Sequence, residues 1–369
     1  MISFQEYQLT NRLLIFTSNG LVYFSCNSSV YSEDVIDGPA LEMEPATFYG
    51  ARSIKIQPNP SQPWSTYCRA VAAYTSRVLS HQGDALDAFS GILRSLHHGR
   101  CVEAVPVAFL DLALLWQPCE RLRRREGFPT WSWLGWIGKV RYDAWTIERE
   151  DMSELQVLSA WAVARTWIVW YSSTRADCHL PANQLGDSVW SHDVRSESAM
   201  QNPRFPTPHD TTQPTPGVLL ERLKQMPETV SNTFRFLQFW TISIHCRIKV
   251  DPSAVLRYSS PHAENMGNGL RRFEVLDNNA QICGWVMLDE SWIEIVAKRD
   301  VETHEFILLS EAMRVDENAA ITDAATSESR AAFNAMMIVW SDGIAQRVGI
   351  GRISAYLGRK GEWKEILLG

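Results

Sequence analysis

Fifteen tryptophans in 369 residues, roughly one in 25, set the first constraint on what this chain can fold into. A packed indole buries ~150–250 Å² and needs an acceptor for its N–H. So many of them demand a large, well-filled core. About 11% aromatic and 45% hydrophobic residues can supply one. That composition excludes a disordered chain, and the length suggests about two domains. Most of the tryptophans are read as core. Those left for an exposed binding face are Trp133, Trp136, Trp145 and Trp190.

A net charge of -7 and a pI of about 5.8 argue against a general nucleic-acid or anionic-membrane binder. The chain opens Met1-Ile2-Ser3-Phe4-Gln5-Glu6, with no basic stretch leading into a long apolar run, so no secretory signal is read. The most apolar window, 160–171, is interrupted by Arg165 and falls short of the ~20 residues that span a bilayer. Seven cysteines, an odd number with no C-x-x-C pair, give neither a disulfide framework nor a standard zinc site. The expectation is a cytoplasmic protein with reduced thiols, no metal and no cofactor.

Hydrophobic periodicity divides the chain. Leu13-Leu14-Ile15-Phe16 and Val22-Tyr23-Phe24 read as two strands, with Asn19-Gly20 as the hairpin signal between them. Trp64, Tyr67, Val71, Tyr74, Val78 and Leu79 fall on one helical face. A second helix is expected to start at Asp84 as N-cap, with Leu86, Phe89, Leu93 and Leu96 as its stripe. Residues 107–116 read as a third, helical, apolar segment. Trp131, Trp133 and Trp136 suggest a strand bent at Gly135, and the odd positions Val157, Trp161, Val163, Trp167, Val169 and Tyr171 suggest a strand pair over 151–172. Residues 173–232 form a polar, proline-rich insert. From 233 to 369 the pattern is β: strands around 234–248, 282–288, 305–310 and 363–368, and a hairpin from Phe333 to Ile353 turning at Asp342-Gly343.

These residues resemble the fungal heterokaryon-incompatibility (HET) domain family. Ser3-Phe4-Gln5-Glu6 is similar to the end of its closing motif, roughly R-G-W-T-F-Q-E, and Met1 and Ile2 replace the preceding Gly and Trp. Leu9, Arg12, Leu13, Ile15, Phe16, Val22, Tyr23, Phe24 and Cys26 resemble the family's continuation. Trp131-Ser132-Trp133 with Gly135-Trp136 resembles its P-S-W-S-W-A-G-W stretch. The resemblance implies an α+β protein: residues 1–50 as the remnant of a TIR-like α/β HET domain, a small helical unit with a Trp-rich segment over 51–150, and a largely antiparallel β region over 233–369. It further implies a role in fungal non-self recognition and programmed cell death, through protein partners and with neither nucleic acid nor membrane. The chain is expected to lack most of its HET domain at the N-terminal side. Some TIR-like domains cleave NAD. The motifs expected to form such a site precede the stretch retained here, so Glu6 is the only remnant and no catalytic residue is carried over. The leading expectation is a non-catalytic recognition or scaffold region; the alternative is part of an NAD-cleaving enzyme whose catalytic segment lies upstream.

Other constellations carry less. His97-His98 beside Cys101, and Asp177-Cys178-His179 with His192, lack the further ligands of a metal site. Gly349-Ile350-Gly351 lacks the third glycine and the strand-to-helix context of a dinucleotide fingerprint; close backbone approach explains it better. The basic run at 121–125 reads as a solvated loop face near Glu120 and Glu126.

Overall fold

One antiparallel sheet, closed on itself, carries most of the hydrogen-bonded framework. The computed structural model describes residues 8–16, 20–26, 30–32, 56, 59–96, 99–142, 153–176, 183–185, 234–249, 269–289, 303–312, 332–358 and 360–369. The architecture is α+β with a largely antiparallel sheet, as the periodicity predicts. No helix among the described residues is long and apolar enough to cross a membrane.

The N-terminal runs form the expected hairpin. β1 (Arg12–Phe16) pairs antiparallel with β2 (Val22–Cys26), Leu14 facing Phe24, and β3 (Val30–Ser32) adds a third strand. Two helices follow. α1 (Pro63–Thr75) starts on a proline, whose fixed φ suits a first turn, and buries Trp64, Tyr67, Val71 and Tyr74 along one face. Its first free N–H groups, on Trp64 and Ser65, donate to the Glu154 carboxylate at 2.9 and 3.1 Å, so a residue 90 positions away serves as its cap. The second helix starts later than expected. Asp84 lies in a 3₁₀ turn, Gln82–Ala85, and α2 spans Asp87–Ser95 with Phe89 and Ile92 buried. The 107–116 segment is helical in part, as a 3₁₀ turn Val107–Phe109 and one α-turn Leu110–Ala113.

The strand pair expected over 151–172 is corrected. Glu154–Arg165 is a helix, α3, and only Tyr171–Thr174 is a strand, β4. Ser153 and Gln156 form a complete capping box that starts the helix. Val157 and Trp161 are four residues apart, so they fit an odd-position alternation and a helical stripe equally; Leu158 and Ala162, both fully buried, complete the helical face. β4 occupies part of the expected insert and pairs with the short strand Asn183–Gln184.

The C-terminal half supplies seven strands: β5 (Arg235–Ile248), β6 (Leu270–Leu276), β7 (Ile282–Asp289), β8 (His304–Glu311), β9 (Ala332–Ser341), β10 (Ile344–Ser354) and β11 (Glu362–Leu368). Pairing runs β5–β6–β7–β10–β9–β8 and returns from β8 to β5 through Ser243–Ile307 to Cys246–His304, a closed six-stranded barrel. Closure leaves no open edge within the circuit. β11 pairs with β5 from Leu237–Leu368 to Ser243–Glu362, and meets β10 in parallel at Ala345–Leu368. β4 lies along the opposite edge of β5, at Arg235 to Gln238.

Register sets the core. Ile244, Phe306 and Met337 stand in one row across β5, β8 and β9 and share a face; all are buried. The one-turn helix Ala355–Gly358 packs at the end of this face, with Gly358 beside Phe333 and Leu308. The β9–β10 hairpin turns where expected, Asp342 and Gly343 both taking positive φ (53° and 75°). Gly351 serves the close approach read from the sequence: a Cβ there would sit 1.9 Å from the Trp285 carbonyl oxygen across the β7–β10 pairing.

Backbone cannot yield as a flexible side chain does. Gly351→Ala is therefore expected to cost about 1–3 kcal/mol, read as a lower urea midpoint at unchanged slope.

Candidate functional site

The Trp-Ser-Trp segment is a core staple. Ser132 extends the backbone and its hydroxyl accepts from Leu134 N at 3.1 Å, which caps a 3₁₀ turn at Trp133–Gly135; this replaces the bent strand expected there. The same hydroxyl donates to the Glu103 carbonyl at 2.8 Å. Trp131 and Trp133 are both fully buried, so Trp133 is withdrawn from the exposed face assigned to it. Its ring meets Phe89 edge-on at 5.1 Å and Tyr74 at 5.7 Å, and its N–H donates to Tyr67 Oη at 3.0 Å. Gly135 offers its carbonyl to Arg125 N at 2.8 Å.

Trp136 differs. It is half-buried and, with Trp116, lines a cleft of about 260 Å³ between this Trp-rich segment and the barrel. The two rings are 6.3 Å apart and tilted by 57°. Leu270, Met287 and Val348 supply apolar wall from β6, β7 and β10, and Asp289 and Thr130 add polar atoms. The cleft is a product of tertiary folding, since its walls come from segments about 150 and 230 residues apart.

Arg347 anchors one wall. It is 3% exposed, its guanidinium lies 3.5 Å from the centre of the Trp116 ring, and it donates to the Leu114 carbonyl at 2.6 Å and to that of Trp116. Burial pulls its pKa down to about 9, while Tyr142 acts in the opposite direction; the group stays charged at neutral pH. Thr130 completes the joint: its hydroxyl accepts from Arg347 N at 2.9 Å and donates to the Gly369 oxygen, which also accepts from Thr130 N at 3.0 Å.

The basic run at 121–125 is a solvated face only in part: Arg121 and Arg123 are exposed, whereas Arg124 and Arg125 turn inward. Arg124 donates to the carbonyls of Arg125, Gly135 and Phe128, and its guanidinium stands 5.8 Å from the Trp136 ring. Arg125 is 7% exposed and donates to the Leu134 carbonyl at 2.6 Å and to Gln82 at 3.0 Å. Burial lowers the pKa of both. The exposed Arg121 reaches Asp289 at 3.2 Å. Glu120, expected as a partner, accepts instead from Lys139 N at 2.8 Å.

A second ionisable cluster lies on the barrel. Glu305 accepts from Lys364 Nζ, Ser243 Oγ and Trp340 Nε1, each at 2.7 Å, and His245 stands 3.8 Å away. Burial is the largest influence on Glu305 and would raise its pKa; the three donors together outweigh it and hold the carboxyl below its ordinary value of 4.5. Saturated in this way, the carboxylate is a structural acceptor between β5, β8, β9 and β11.

Phe4, Gln5, Glu6, Trp145 and Trp190 lie outside the described residues, as do His97, His98, Cys178, His179 and His192. Among the described residues no group of three His, Cys, Asp or Glu could hold a metal ion. Among the described residues, Cys68, Cys101, Cys119, Cys246 and Cys283 form no disulfide. Sequence reading missed Arg347 and Thr130 as cleft residues. Arg347 shares its strand with Gln346, Arg352 and Ser354, so no local signal set it apart.

Compared with protein-family models, with curated proteins and with solved structures, the chain matches none.

Two outcomes follow from these contacts. Arg347→Met removes the donors of two buried carbonyls and is expected to cost about 2–4 kcal/mol, read by urea denaturation. Because the Glu305 pKa is depressed in the folded state, its stabilisation is present above the unfolded value and is lost as pH falls through the folded one. Glu305→Gln should therefore lower the midpoint at pH 7, and the gap to the parent chain should narrow below pH 4.5.

Proposed function

We propose that this chain is a non-catalytic recognition module of the fungal heterokaryon-incompatibility type, working in the cytoplasm through partner contacts. Residues 1–50 are read as the closing end of a TIR-like HET domain, a reading supported by the Ser3-Phe4-Gln5-Glu6 tetrapeptide and by the β1–β2 hairpin that follows it. The observation that carries the proposal is the Trp116–Trp136 cleft. Its aromatic and aliphatic walls offer a shaped surface. Among its polar side chains, Arg347 and Arg124 donate to carbonyls, Thr130 donates to Gly369, Asp289 pairs with Arg121, and Gln346 is exposed. A surface of that kind selects by fit and burial.

Val348→Trp fills the cleft, and Leu270→Trp fills it from the opposite wall. Expressed in a filamentous fungus, the parent chain is expected to alter the outcome of hyphal fusion and the filled variants to be silent, with melting temperatures within a few degrees of the parent. Purified chain should not hydrolyse NAD. Turnover that survives purification, or filled variants as active as the parent, would overturn the reading.

A further inference from the structure

We infer that the Trp116–Trp136 cleft binds a small planar aromatic anion, a ring system carrying a carboxylate. The inference rests on the cleft being a recognition site and names its ligand class.

Size comes first. An engineered apolar cavity of about 150 Å³ takes up benzene, so about 260 Å³ admits a two-ring ligand. Shape comes second. The two indoles, tilted by 57° with centres 6.3 Å apart, present flat faces and edges to which an aromatic ring packs with a preferred geometry. Charge decides the rest. Two guanidiniums sit in the wall, and among the described residues no carboxylate side chain forms an ion pair with either. Arg347 is held by two carbonyls and an indole face, which uses two of its five N–H donors. Arg124 is held by three carbonyls, and Glu126 acts on it only at a distance. The one acid in the wall, Asp289, is already paired with Arg121. A cleft with this excess of positive charge, one of its guanidiniums buried, favours an anion over a neutral ring of the same shape.

Indole-3-acetate is the probe, with indole as the neutral arm and acetate as the arm without a ring, each titrated calorimetrically into the full chain. The expected result is at least tenfold tighter binding of indole-3-acetate than of indole, no measurable binding of acetate, and weakening with salt. Asp289→Asn should tighten indole-3-acetate and leave indole unchanged. Val348→Trp and Leu270→Trp should each abolish binding; using both keeps the test valid if one variant fails to fold. Equal affinity for indole and indole-3-acetate overturns the anion while leaving a recognition cleft in place. Binding of neither probe, or binding that persists in both filled variants, overturns the site itself.

Discussion

A single buried cation ties the helical unit to the barrel. Arg347 leaves β10, crosses into the Trp-rich segment and hands its donors to the Leu114 and Trp116 carbonyls while lying on the Trp116 ring. A guanidinium taken out of water is costly unless its charge is spread over fixed acceptors. Here the acceptors are backbone carbonyls at the end of a helical turn, which cannot move without unmaking that turn. Thr130 locks the same junction from the other side through Arg347 N and Gly369. The cleft exists because this joint holds two curved surfaces together at one point and leaves them apart beside it.

The tryptophans work as fasteners of the same kind. Trp116 donates to the Trp131 carbonyl, Trp136 to that of Thr130, Trp161 to that of Glu311, Trp167 to Thr241 and Trp170 to Asp111. Each pairs a large apolar body with one directed polar bond. Several of these bonds join segments distant in the chain, so the indoles fix how layers meet as well as filling the space between them. The indole N–H groups of Trp131 and Trp363 are buried with no partner among the described residues.

Much of the fold was legible because local patterns and tertiary demands agreed. The stripe from Trp64 to Tyr74 is the buried face of α1, and Asp342-Gly343 turns β9 into β10. Where two periods coincide, local reading fails: 157 and 161 suit a strand and a helix alike, and the capping box at Ser153 decides for the helix. β6 escaped notice because Arg271, Arg272 and Glu274 interrupt its apolar residues, although Phe273 and Val275 are buried. Of the site, Trp136 was visible as an aromatic, whereas Arg347 looked like any strand arginine. A charged residue's burial depends on acceptors more than two hundred positions away.

The sequence by itself determined most of the strands and helices, where the Asp342-Gly343 turn falls, and that a large aromatic core must exist, because periodicity, glycine placement and composition act locally or in sum. Only the tertiary structure decided that β8 returns to β5 and closes a barrel. It alone decided that Arg124 and Arg125 turn inward, and that two tryptophans and two arginines face a common cleft. Pairing partners and the fate of a buried charge depend on groups that meet only when the chain is folded, and no local pattern encodes them.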